Sequence, residues 1–312
     1  MIAPRFKGYL LAALAAAAYG TNPAFALPLY SQGMDPVSVL FFRYIIGLPF
    51  LAIAMKLRHV SFRLSPGEIG FTAILGILMA LSSLALFASY NYMNSGIAST
   101  LLFIYPVMVA VMMTFFFHER FSPTVGVCLI LMAAGLLLLI RPDSPGGSLS
   151  TVGVLLVIFS ALTYALYIIL VNVSSTVRAI PTSRLLFYVL SWGSLLYLII
   201  ISVSSAGFAI PVRPSGWVSL TALALIPTVV SLAFTTRAIQ LIGSTPTAIF
   251  GALEPVTAVV LSVCFLHQSI SLIEVAGGIL IVIATTLVIA DRSVDRFLLH
   301  VRRFFPRIRH HQ

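Results

Sequence analysis

The fold class predicted is an all-α polytopic membrane protein, with ten transmembrane helices arranged as two inverted five-helix repeats. Three observations predict it. First, 60% of the residues are hydrophobic and only 8% charged, with a mean hydropathy of +1.09, against roughly 25% charged in soluble domains. Such a chain cannot cover itself with a polar surface. Second, the apolar stretches run for about 20 residues, the length at which a helix satisfies its own backbone hydrogen bonds across a bilayer, so the spans are helices and not barrel strands. Third, the chain matches itself. A shift of 149 positions lays Ser95, Pro106, Val107, Phe116, His118, Ser122, Leu138 and Ile140 on Ser244, Pro255, Val256, Phe265, His267, Ser271, Leu287 and Ile289. A shift of 145 lays Gly8, Leu10, Leu11, Ala16, Tyr19, Pro36, Ser38, Leu40 and Phe42 on Gly153, Leu155, Leu156, Ala161, Tyr164, Pro181, Ser183, Leu185 and Phe187. The first repeat is residues 1–145, the second 146–290, and residues 291–312 form a basic tail. Two long similar apolar halves point to a transporter that rocks about a pseudo-twofold axis.

The spans follow in order. Residues 6–29 are Ala-rich and broken by the polar run Tyr19, Gly20, Thr21, Asn22, Pro23. Residues 37–55 carry Arg43 about six residues, roughly 9 Å, inside the outer end, beyond comfortable snorkelling. Residues 68–91 end on Tyr90 and Asn91, and 96–117 contain Tyr105 and Pro106. Residues 123–140 close the first repeat, and 151–172 open the second with Tyr164 and Tyr167. Residues 182–204 contain Trp192, and 215–238 form the eighth span. In 244–266 Glu254 lies about ten residues in, roughly 15 Å deep, directly before Pro255; the tenth span is 271–290. Tyr and Trp near span ends are read first as interfacial belts, so Tyr19 and Tyr164 rank above Tyr90 and Trp192 as cavity residues. Ala12, Ala13, Ala15 to Ala18, Ser95, Gly96, Ala98 and Ser99 are small enough to be sliding surfaces.

Charge sets the orientation. With a cytoplasmic N-terminus, the inside segments hold Arg5, Lys7, Lys56, Arg58, Arg63, Arg120, Arg178, Arg184, Arg237 and the six arginines after residue 290, fifteen of the eighteen Lys and Arg. Both termini are therefore expected in the cytoplasm of a bacterial inner membrane. Five spans per half is odd, which inverts the second half relative to the first. The net charge of +10 and pI near 10.1 are explained by topology and anionic headgroups, and a nucleic-acid partner is rejected. The tail places Phe297, Leu298, Val301, Phe304 and Phe305 near one helical face and arginines on the other, an amphipathic helix at an anionic lipid surface. The first apolar stretch begins the repeat, so no cleavable signal peptide is expected. Cys128 and Cys264 do not match across the repeat and read as packing residues, and the six histidines lie in loops or the tail, so no metal, disulfide or cofactor is expected.

Thr100 to Ile140, TLLFIYPVMVAVMMTFFFHERFSPTVGVCLILMAAGLLLLI, and Ala252 to Ile289, ALEPVTAVVLSVCFLHQSISLIEVAGGILIVIATTLVI, carry an apolar-Pro-apolar core, a short turn with Glu119 and Ser122, and glycines at Gly126, Gly135, Gly277 and Gly278. In these features the chain resembles EamA-type proteins of the drug/metabolite transporter superfamily. The resemblance implies two inverted five-helix repeats around a central cavity and transport of small metabolites, often by export, across a bacterial inner membrane. Gln268 stands where members of that family commonly carry a glutamate.

A buried charge at mid-membrane is costly and marks a functional hypothesis. Of eight acidic residues only Glu254 is central. Two arrangements follow: Arg43 pairs with Glu254 as a lock between the halves, or both face the cavity, Arg43 toward a substrate carboxylate or phosphate and Glu254 toward an amine or a coupling proton. Tyr105 is the repeat partner of Glu254, each just before a matched proline, which places a phenol opposite a carboxylate. The expected substrate-binding or coupling residues are Glu254, Arg43, Tyr105, Tyr19, Tyr164, Asn22 and Tyr90, and the expected hinges are Pro106, Pro255 and Pro23. No GxxxxGK[ST] loop is present, and neither is any convergent Ser–His, paired-Asp or HExxH set. The function expected is thus a secondary transporter, an exporter of small metabolites such as amino acids. A promiscuous efflux pump for lipophilic cations is the alternative, and an intramembrane enzyme is disfavoured.

Overall fold

The computed structural model describes residues 4–93, 98, 101–118, 123–139, 150–203, 208–254, 256–257, 260, 272–273, 275–284 and 287. Among these residues every regular element is helical. Six segments are long and apolar enough to cross a membrane: Pro4–Tyr30, Pro36–Leu57, Pro66–Ser89, Thr151–Val173, Thr182–Val203 and Pro214–Ile242. Each lies within about four residues of the span expected from hydropathy. Tyr105–Phe117, Pro123–Gly135 and Val275–Ala284 are shorter apolar helices in the expected fourth, fifth and tenth positions.

The first span is two helices, α1 (Pro4–Tyr19) and α2 (Asn22–Tyr30). They are followed by α3 (Pro36–Leu57), α4 (Pro66–Ser89), α5 (Tyr105–Phe117), α6 (Pro123–Leu139), α7 (Thr151–Val173), the short α8 (Ser175–Ala179) and α9 (Thr182–Val203). The eighth span runs as α10 (Pro214–Ala224), a π-helical turn at Leu225–Val230 and α11 (Ser231–Ile242), and α12 (Ser244–Phe250) opens the ninth.

Local chemistry fixes where these helices start. Pro36 and Pro66 sit in first turns, where their missing N–H removes no bond. The Asp35 carboxylate accepts from the backbone N–H groups of Val37 (2.9 Å) and Ser38 (3.0 Å). Ser65 and Glu68 form a reciprocal capping box.

The packing partners exchange under the repeat. α1 packs along α11, and its repeat partner α7 packs along α4, the partner of α10 and α11. Likewise α9 meets α4 as α3 meets α10, and α5 meets α7 as α12 meets α1, while the pairs α3–α9 and α5–α12 map onto themselves. Loops expected on one side of the membrane also meet. Arg184 of α9 pairs with Glu68 at 3.0 Å and donates to the Arg63 carbonyl at 2.9 Å. On the opposite side the Ala209 N–H donates to Ser38 Oγ at 3.0 Å. Arg184 is thus tied to a specific partner.

Small residues let α4 and α7 approach. Ser82 Oγ donates to the Ser160 carbonyl at 3.0 Å, and Ser160 Oγ returns a bond to the Ser82 carbonyl at 2.8 Å. Both residues are buried. Replacing either with Ala is expected to lower unfolding stability by about 1 kcal/mol. The double replacement should cost less than the sum of the two, and a thermal-unfolding double-mutant cycle in detergent micelles measures this.

Candidate functional site

Three interrupted spans converge on one point. The first breaks at Gly20–Thr21, where the Thr21 hydroxyl folds back onto the Ala18 carbonyl at 2.7 Å and Pro23 begins the next helix without an N–H. In the fourth span a turn at Phe103–Ile104 precedes α5. The ninth has its turn at Gly251–Ala252 before Leu253 and Glu254 become helical again. Pro106 accordingly occupies the first turn of α5. It does not kink a continuous fourth span as expected from the sequence, because a residue without an N–H fits a helix start and leaves the chain free to turn before it. Pro23 behaves in the same way, and Pro255 lies outside the described residues.

The breaks touch through glycine. A methyl group on Gly20 would overlap the main-chain carbonyl oxygen of Glu254 and sit 3.1 Å from Thr257 Cβ. One on Gly251 would overlap the Tyr105 hydroxyl, which donates to the Ala248 carbonyl at 3.2 Å. Backbone approaches this close need glycine at both positions.

Around this junction lies a narrow crevice, lined by Ala12, Ala15 and Ala16 of α1, Tyr105 of α5, Tyr164 and Ile168 of α7, Thr235 of α11, Thr247, Gly251 and Glu254. Only water-sized groups fit between the side chains, so the crevice is closed to a metabolite in this conformation. Tyr105 and Tyr164 meet edge to face with ring centroids 4.9 Å apart, and Tyr167 stacks on Tyr164 at 6.3 Å. Glu254 is 9% exposed. Its carboxyl has no hydrogen-bond or ion-pair partner among the described residues. A helix boundary at a buried carboxyl between phenol rings can bind an amine, through charge and the ring faces, or hold a proton.

The structure brings Glu254, Tyr105 and Tyr164 together in the crevice lining. Tyr19 directly precedes Gly20, which abuts the Glu254 main-chain carbonyl, and its ring centroid stands 6.0 Å from Arg43 Cζ. Asn22 is buried one residue past the break, and Tyr90 packs against Phe87 at 5.6 Å. Arg43 does not pair with Glu254. Its Nε donates to Thr228 Oγ1 and its Nη2 to the Pro227 carbonyl at 3.2 Å, because the π turn at Leu225–Val230 holds both acceptors facing α3. That turn is absent from the sequence reading. Pro227, within the eighth span, was its available signal, since proline removes a helical donor and favours such irregularities. Thr235, Thr247 and Gly251 were also missed, because apolar periodicity does not separate cavity-facing from helix-facing small residues.

The profile of the EamA-like transporter family matches residues 6–141 and, a second time, residues 151–290. The chain belongs to that family. A curated relative, the pseudopaline exporter CntI of Pseudomonas aeruginosa, is 24% identical over 284 residues, spanning 89% of this chain and 94% of the relative, and the proteins of two strains match equally. A solved chain described only as "Crystal structure of protein" superposes with a TM-score of 0.74 at 18% identity, covering 90% of this chain and 96% of the other. The EamA-like chain is thus a multi-pass membrane transporter whose fold recurs in a known structure.

Proposed function

We propose that this EamA-like protein exports small metabolites, amino acids among them, across the inner membrane by alternating access, with ten helices in two inverted repeats and both termini cytoplasmic. The closed crevice opens to one side and then the other as the repeats rock, and the helix breaks at Gly20–Thr21, Phe103–Ile104 and Gly251–Ala252, with the matched prolines Pro106 and Pro255, absorb the movement. Glu254 meets the substrate amine or carries a coupling proton, and Tyr105 and Tyr164 face the bound molecule. Tyr19, Asn22 and Arg43 extend the site, Tyr90 borders it, and the tail from residue 291 rests on anionic lipid.

One observation carries this reading. A carboxyl at the junction of three broken helices, with no partner among the described residues, is expensive to keep in a membrane and has no visible structural task. The family and the exporter relative support transport and its direction. An efflux pump for lipophilic cations is the second reading, favoured by a crevice lining that holds no basic side chain among the described residues.

The test is uptake by inside-out vesicles of a labelled pool of amino acids and metabolites, with and without an imposed pH gradient. Accumulation of amino acids that depends on Glu254 is expected. Accumulation of a lipophilic cation alone would favour the second reading, and accumulation of nothing beyond empty-vesicle controls would overturn both.

A further inference from the structure

A second polar locus lies outside the crevice lining. Arg43 is fully buried. Its Nε and Nη2 are taken by Thr228 and the Pro227 carbonyl, its Cζ stands 6.0 Å from the Tyr19 ring centroid and 5.6 Å from that of Phe87, and its Nη1 has no partner. Thr228 is held in turn, its hydroxyl donating to the Leu223 carbonyl at 2.7 Å. Neutral dipoles and ring faces orient this guanidinium without neutralising it, and no carboxylate pairs with it among the described residues, a strongly unfavourable state for a buried cation. Two further buried polar groups, both of α2, are unsatisfied. Asn22, 4% exposed and three residues past Tyr19, has neither amide atom bonded. The Tyr30 hydroxyl is buried and unbonded, with its ring edge-on to Phe87 at 6.3 Å.

We propose that Arg43, with the Asn22 amide and the Tyr30 hydroxyl, is an anion subsite that receives a carboxylate of the transported molecule, while Thr228 and the Pro227 carbonyl of the π turn aim the guanidinium. The proposal rests on the transporter reading and narrows its substrate class to molecules that carry both a carboxylate and an amine, the amine toward Glu254. One arginine matches the single charge of a carboxylate, whereas a phosphate at nearly two charges would leave negative charge buried. Thr228 is a positioning residue, acting through Arg43. The subsite is also linked to the crevice, because Ser231, directly after the π turn, donates to the carbonyl of crevice-lining Ala15 at 2.9 Å.

The experiment uses the full chain in lipid nanodiscs. Thermal unfolding is followed with each standard amino acid at millimolar concentration beside its carboxamide, which keeps the amine and side chain but removes the anion. At least one amino acid is expected to raise the midpoint while its carboxamide does not. Arg43→Gln should remove the shift, and Arg43→Lys and Thr228→Val should each weaken the apparent affinity by roughly tenfold or more. Without added amino acid, Arg43→Gln should unfold no earlier than wild type, because a buried charge without a counter-ion has been removed. A lower midpoint for that variant would make Arg43 a structural residue and overturn the proposal. Equal stabilisation by acids and carboxamides, stabilisation by neither, or retention in Arg43→Gln would also overturn it. Vesicle uptake separates this failure from that of the wider reading: Glu254-dependent accumulation of carboxamides would sink the subsite and leave the transporter mechanism standing.

Discussion

Glu254→Gln is expected to reduce substrate accumulation in inside-out vesicles by about a hundredfold or more while leaving insertion and thermal stability unchanged or slightly improved. The amide has the shape of the carboxyl, so the crevice walls of Tyr105, Tyr164, Thr247 and Gly251 keep their packing. Burying an amide costs less than burying a charge, so the folded state loses nothing. What disappears is the counter-charge to an amine or the acceptor for a proton, and a lost charged contact in a desolvated site is worth about 3 kcal/mol, close to that factor. The pH-gradient arm separates the two roles. If Glu254 only binds substrate, residual uptake by the variant still responds to the gradient; if it carries the proton, the response vanishes. Full activity in Glu254→Gln would remove Glu254 from the site.

Gly20→Ala is expected to cost about 2–3 kcal/mol and to abolish transport, although the change is one methyl group. The added carbon meets the Glu254 main-chain carbonyl, and a backbone atom cannot move aside by changing rotamer. The first span must retreat from the ninth at the break where both turn. Gly67→Ala is the control, since nothing lies within 4 Å of that position, and it should leave both stability and uptake unchanged. A companion change separates contact from conformation: Gly251→Ala collides with Tyr105, so adding Tyr105→Phe should recover part of the lost stability. Unfolding midpoints of the four variants, with uptake measured on the same preparations, decide the matter. Wild-type stability in Gly20→Ala would mean that the two breaks do not touch.

The six long spans of the described residues were legible because hydropathy reports the solvent around each segment, and in a membrane chain that solvent is lipid for about 20 residues at a time. The pairing of Tyr105 with Glu254 was legible from the repeat offset, which gives position across the two halves without any knowledge of packing. Arg43 was legible as an oddity but not in its partner. Opposite charges left two arrangements open, an ion pair with Glu254 or both groups facing the cavity, and neither foresaw the π turn at Leu225–Val230 that supplies Thr228 and the Pro227 carbonyl, because hydropathy is blind to a helix that changes its hydrogen-bond register. The form of the irregularity at Pro106 was not legible for a related reason: proline in an apolar run signals a break without saying whether the helix bends through it or begins at it. Gly20 and Gly251 stood in plain view as residues, but their use depends on which helix crosses which, and that emerges only from the folded chain.

Alternating access requires that the crevice be reachable from both sides of the membrane, though not at once. The most direct measurement places a cysteine at crevice-lining Thr247, in a chain whose Cys128 and Cys264 are replaced by alanine, and labels it with a membrane-impermeant maleimide in spheroplasts and in inside-out vesicles. Labelling from each face is expected, with substrate raising one rate as it lowers the other, and with Glu254→Gln losing that reciprocal response. Labelling from a single face under every condition, or a substrate effect of the same sign on both faces, would contradict a crevice that alternates between the two sides.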